Sequence, residues 1–185
     1  MKCMMLMKSS YFISSLLITM LWCGGLTAQS IHWGPEIQVY PTGVIPGLLI
    51  EHASYHDALN IRIGYNLVNH RDLGVQEDER GGGFGGSLAY LYFLKNYGKG
   101  LFVGARADLW RNKIKWKDQI GTPQEVRGTS KILVFQPTAL AGLSWDFGPV
   151  QFRPNVGFGA ELNVLTDGRE VGHGAILLVG VQLLF

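Results

Sequence analysis

Cysteine is nearly absent from this sequence. The only two, Cys3 and Cys23, fall in the first 23 residues, so the remainder can hold neither a disulfide framework nor a thiol site. Charge is scarce too, at 16% of residues, and nearly balanced in sign. That excludes the basic footprint of a nucleic-acid-binding protein. After the first thirty residues there is no run of about 20 apolar residues, so no helix is available to span a bilayer. A polar tail is also missing. Positions 174–185, GAILLVGVQLLF, are apolar to Phe185, whereas chain termini are ordinarily polar and frayed.

What is present starts with a targeting signal. Lys2 and Lys8 make a basic n-region, 11–22 is a short apolar stretch, and the small polar residues of 24–30 offer cleavage after Ala28. Trp22 stands before Cys23, where a lipoprotein signal needs a small residue. Residues 1–28 are therefore read as a cleaved signal peptide and 29–185 as one domain. Both cysteines leave with the signal, as do two lysines and no acid, so 14 basic residues face 14 acidic ones.

The domain reads as eight segments of alternating hydrophobicity: 33–40, 48–53, 59–68, 82–93, 101–116, 130–146, 150–164 and 174–185. In the seventh, Phe152, Val156, Phe158, Ala160, Leu162 and Val164 alternate with Gln151, Arg153, Asn155, Gly157, Gly159, Glu161 and Asn163. Period-2 alternation of this kind marks strands with one apolar and one polar face. Between segments, longer loops at 41–47, 69–81, 117–129 and 165–173 alternate with tight turns at Tyr55-His56-Asp57, 96–100 and Phe147-Gly148-Pro149. That asymmetry predicts an all-β fold, an eight-stranded antiparallel up-and-down transmembrane β-barrel. Closure is required, because an open edge in lipid would leave backbone groups unpaired. Trp33, Tyr92, Trp145, Phe152 and Phe185 all fall at the end that carries the termini and tight turns, as an interfacial aromatic girdle requires. Trp110 falls on the polar register, which puts it in the lumen or shifts it by a bulge.

This pattern resembles the small eight-stranded outer-membrane barrels of the OmpA/OmpX type. The signal segment, the eight alternating segments and the terminal Phe185 carry the resemblance, which covers essentially all of 29–185. It implies an integral protein of the Gram-negative outer membrane with periplasmic termini and four outward loops. It also implies that Phe185 is the assembly signal read by the barrel-assembly machinery. The expected molecule is a monomer. Its partners are outer-membrane lipid and lipopolysaccharide, with an unidentified extracellular ligand at the loops.

Parity turns Glu36, Glu51, Arg62, Arg106, Asp108, Asp146, Arg153 and Glu161 inward. A barrel of eight strands is just wide enough for side chains to fill, and unpaired charge there is costly. A salt-bridged plug is expected, with a narrow ion or solute pore as the alternative. Arg111, Lys113, Lys115 and Lys117 continue the outward register of the fifth segment past its apolar band, where lipopolysaccharide phosphates would lie; a solvated strand extension is the plainer reading.

Chemistry of other kinds finds little support. Lipid A-modifying barrels allow the class of enzyme, but Ser54, His56 and Asp57 crowd one turn, and His173 stands near Asp167 without a nucleophile. A reacting site needs nucleophile, base and orienting group to converge, so no catalytic residue and no cofactor are assigned. Gly81, Gly83 and Gly86 satisfy G-x-G-x-x-G, yet an alternating strand follows where a phosphate cradle needs a helix. His32, His52, His56 and His70 lack metal-ligand spacing, and no metal site is proposed. The expected role is non-enzymatic: membrane integrity or surface interaction through 69–81 and 117–129. A channel, a lipid-modifying enzyme and a soluble lipocalin-like barrel of opposite polarity are the rivals.

Overall fold

The computed structural model describes residues 30–70, 73–172 and 174–185; the predicted signal segment lies outside them. Eight strands run in order: β1 (Ser30–Tyr40), β2 (Gly43–Ala53), β3 (Asp57–Asn69), β4 (Asp78–Phe93), β5 (Gly100–Asp118), β6 (Val126–Asp146), β7 (Gln151–Asp167) and β8 (Gly174–Leu184). Each pairs antiparallel with its neighbour in sequence, and β8 returns to β1 to close the barrel.

Side-chain alternation decides which face is which. On β5, Leu101, Val103, Ala105, Ala107 and Leu109 are exposed, while Phe102, Arg106, Asp108 and Trp110 between them are buried. Phe84 is 76% and Ile63 67% exposed, whereas Arg153 is 0%. Burial is thus inverted relative to a water-soluble protein, in which large apolar patches on the outside are rare. At the end that holds both termini, Trp33 pairs with Phe185 (ring centroids 5.9 Å apart) and Trp145 stacks on Phe152 at 5.8 Å.

The seam is the shortest ladder. Register runs only from Glu36 opposite Gln182 to Val39 opposite Val179. Pro35 comes next and has no N–H to donate. Pairing resumes two residues further, where Trp33 and Phe185 exchange backbone hydrogen bonds of 3.3 and 2.9 Å.

Strands are longer and loops shorter than the sequence suggested. The predicted loop 41–47 is a turn at Pro41 and Thr42, because β2 begins at Gly43. Pro46, inside the predicted loop, lies within β2 on the outer face, and the β2–β3 ladder skips it and Ile45. The predicted loop 117–129 is mostly hairpin: Lys117 pairs with Arg127 and Asp118 with Val126. Loop 69–81 likewise shrinks to 70–77, and β7 continues to Asp167. The asymmetry between the two ends is therefore carried by strand overhang. The longer overhangs lie at the far end, away from the termini.

Glycine makes room inside. Gly47, Gly64 and Gly85 lie opposite one another on β2, β3 and β4, and Gly85 faces Trp110 on β5. A Cβ at Gly85 would sit 2.4 Å from Trp110 Cε3 and 2.1 Å from the Leu109 carbonyl oxygen. At Gly47 it would press on the Arg62 stem at 3.0 Å. The row is a shelf on which the two largest fully buried side chains, Trp110 and Arg62, lie. Gly85→Val should therefore overpack the bore and cost about 1–3 kcal/mol, read as a lower urea midpoint for the protein in lipid vesicles. An unchanged midpoint would show that the shelf carries no packing constraint.

Candidate functional site

At mid-barrel one arginine gathers four strands. Arg62 on β3 donates from Nη1 to Glu36 Oε2 at 3.0 Å and to Gln38 Oε1 at 2.6 Å, from Nε to Ser87 Oγ at 2.8 Å, and from Nη2 to the Asp108 carboxylate. Glu36 also accepts from Arg106 Nη2 at 2.7 Å and from Gln182 Nε2 at 3.0 Å. All the ion-paired groups are almost fully buried. Above them Trp110 is wholly buried in the lumen, 5.4 Å from the Arg62 guanidinium, and its indole N–H donates to Gln136 Oε1 at 2.9 Å. Gln136 passes the chain on to Glu161 Oε2 at 2.6 Å.

A second cluster closes the terminal end. Arg153 donates from Nη1 to Glu51 Oε2 at 2.6 Å and from Nε to Ser144 Oγ at 3.1 Å. Its guanidinium lies 5.0 Å from the Phe93 ring and 4.9 Å from the Tyr97 ring, and Tyr97 donates its hydroxyl to Glu51. Asp146 does not join it. That carboxylate is exposed and accepts the Gly148 N–H at 2.8 Å. Parity placed it inward, but it is the last residue of β6, where the chain leaves the bore for the turn.

The far half of the bore differs from expectation. It is packed with Ile45, Ile114, Trp116, Ile132, Val134 and Leu178 rather than with charge. The inward register of β5 carried the signal, since Ile114 and Trp116 follow Trp110 at period 2.

Glu79 lies over this apolar plug. Read in sequence as part of a charged loop, it is 0% exposed. Its carboxylate meets His70 Nδ1 at 2.8 Å and accepts the N–H groups of Gln76 at 2.9 Å and Gly172 at 3.2 Å. One side chain therefore ties the 70–77 connection to that between β7 and β8. Burial pushes the carboxyl up, but the His70 contact and the two backbone donors outweigh it and hold Glu79 below the usual carboxylate range.

The candidates for catalysis do not converge. His56 Nδ1 meets the carbonyls of Phe93 at 3.1 Å and Lys95 at 2.6 Å, whereas the Asp57 carboxylate accepts the Tyr90 hydroxyl. His173 lies outside the described residues. Gly81, Gly83 and Gly86 all lie within β4 and have no helix after them. Arg111, Lys113, Lys115 and Lys117 are exposed on the outer wall of β5, beyond the level of Leu109.

Two outcomes follow from this geometry. Arg153→Met strands the buried Glu51 carboxylate and should cost about 3–5 kcal/mol, with Glu51→Gln in the same chain restoring most of it in urea unfolding. A second substitution without effect would show that Glu51 is not left unpaired. The Glu79 anchor has a depressed folded pKa, so its contribution is complete above the ordinary value of 4.5 and fades as pH falls through the folded value. Amide protection at Gln76 and Gly172 should fall over that range, and Glu79→Gln should abolish the pH dependence. Protection that stays flat in the wild-type protein would refute the anchor.

No family profile matches the chain, and no curated protein matches it. Two solved structures are similar in path. The N-terminal β-barrel domain of Pseudomonas aeruginosa OprF shares 16% identity at a TM-score of 0.44, over 86% of this chain and 98% of that one. Neisserial surface protein A (NspA) shares 13% identity at a TM-score of 0.49, over 85% and 99%. The closed ring of eight antiparallel strands is established by this chain's own ladder.

Proposed function

We propose that the protein is an integral outer-membrane barrel without enzymatic activity. Its plugged interior makes it a rigid membrane post, and its far-end hairpins and outer wall make the surface contacts. The observation that carries this reading is the inverted burial: an apolar wall around a bore of paired charge. Exposed Ile, Leu and Phe on every strand favour lipid over water, and a closed ring satisfies the backbone where no water can. A lipocalin-like soluble barrel would need the opposite polarity. The signal segment supports export, and outward placement of the far-end hairpins follows if the termini are periplasmic.

Packing favours a post over a pore. Arg62, Arg153, Trp110 and Ile114 are each no more than 2% exposed, and each fills the bore at a different level. Purified protein in planar bilayers should therefore give no steady single-channel current, and its outer-membrane fraction should migrate faster unboiled than boiled. Stable conductance steps would favour the channel. A soluble protein with no heat-dependent shift would overturn the membrane reading itself.

A further inference from the structure

Cations from three strands meet on the outer wall. β5 presents Arg111, Lys113, Lys115 and Lys117, β4 adds Arg80, and β6 adds Arg127 and Lys131, all exposed. The ladder sets Arg80 directly opposite Lys115, Lys113 opposite Lys131, and Lys117 opposite Arg127. Like charges directly opposite one another destabilise a strand pair, and three such pairs adjoin here. Acids offset only the margins. Asp78 accepts from Arg80 at 2.8 Å, Glu125 accepts from Arg127 at 2.8 Å, and Asp167 lies opposite Lys131. Asp78 also lies opposite Lys117, and Glu125 is near enough to feel its charge; among the described residues, no carboxylate forms an ion pair with Arg111, Lys113 or Lys115.

The wall is also concave. A hollow of about 300 Å³ is framed by Arg80, Lys115, Lys117, Arg127 and Thr129, with Asp78, paired to Arg80, also in its lining. The position is specific too. Arg111 pairs with Phe84 on one side and Leu133 on the other, so the cations begin where the apolar belt ends. Beside Phe84 an apolar groove of about 590 Å³ runs down the belt between Pro46, Leu48, Ile63 and Tyr65.

We propose that this wall is a binding site for a phosphorylated lipid. Its headgroup phosphates lie among Lys113, Lys115, Lys117 and Arg80, and an acyl chain lies in the adjoining groove. Bound phosphate relieves the three opposed cation pairs, which is the physical reason for tolerating them. The groove and the boundary position favour a lipid over a free polyanion. The inference rests on the membrane reading above.

The test uses the full chain in phosphatidylcholine nanodiscs, with bis-phosphorylated lipid A and its dephosphorylated form as probes. The phosphorylated form should bind at least about tenfold tighter, a difference of about 1.4 kcal/mol. The variant Lys113→Gln/Lys115→Gln/Lys117→Gln should lose that preference and keep its heat-dependent mobility. Lys115→Gln alone, which removes the opposition to Arg80, should raise the urea midpoint without lipid A and weaken the preference. That single variant keeps the test valid if the triple one folds poorly. Equal binding of both forms, or a preference retained by the variants, overturns the site. Tripolyphosphate binding as tightly as lipid A overturns the lipid assignment. A wild-type protein without the mobility shift overturns the membrane reading and this site with it, whereas a normal shift without phosphate preference overturns this site alone.

Discussion

Closure is the constraint on which the rest depends. A strand exposes N–H and C=O groups along both edges, and only a ring leaves no edge to satisfy. The ring here is held by seven long ladders and one short one, between Glu36–Val39 and Val179–Gln182, continued past Pro35 by the paired backbones of Trp33 and Phe185. Because the first and last strands must meet, the register of every hairpin between them is coupled. The same register assigns each residue to the wall or to the bore.

Eight strands also fix the bore, which is too narrow for charge to stay solvated. Charges turned inward must find partners, and the arrangement is economical in sources. Arg62 draws on β1, β4 and β5, and Arg153 bridges β7 to β2. Apart from that of Arg62 to Ser87, its ladder partner, these links tie strands that share no ladder, as Arg153 and Glu51 do across 102 positions of sequence. Buried ion pairs give little net stability against an apolar core of the same volume. They do specify which strands face each other, and the apolar far half supplies packing that needs no partner.

The number of strands, their order and the outward face were legible in the sequence because period-2 alternation is a local signal that closure does not alter. Glu36, Arg62, Arg106, Asp108 and Glu161 could be turned inward by parity alone. Their partners could not be named, since pairing across the bore depends on strand tilt and side-chain reach. Asp146 escaped parity because it stands where the strand ends. Pro46 misled because proline usually marks a turn, yet here it occupies a strand position from which the β2–β3 ladder asks no hydrogen bond. Glu79 misled for the opposite reason. Its neighbours Asp78 and Arg80 form a solvated pair, and only the alternation continuing backwards from β4 turns Glu79 itself into the bore.

The polarity of the barrel is the central claim, and tryptophan emission reports it directly. Trp33 and Trp145 face outward, whereas Trp110 and Trp116 lie in the bore. In vesicles containing brominated phosphatidylcholine, wild-type emission should be strongly quenched. The variant Trp22→Phe/Trp33→Phe/Trp145→Phe, left with only the interior pair, should be nearly indifferent to bromine. Equally strong quenching of that variant would put Trp110 and Trp116 against lipid and contradict the account.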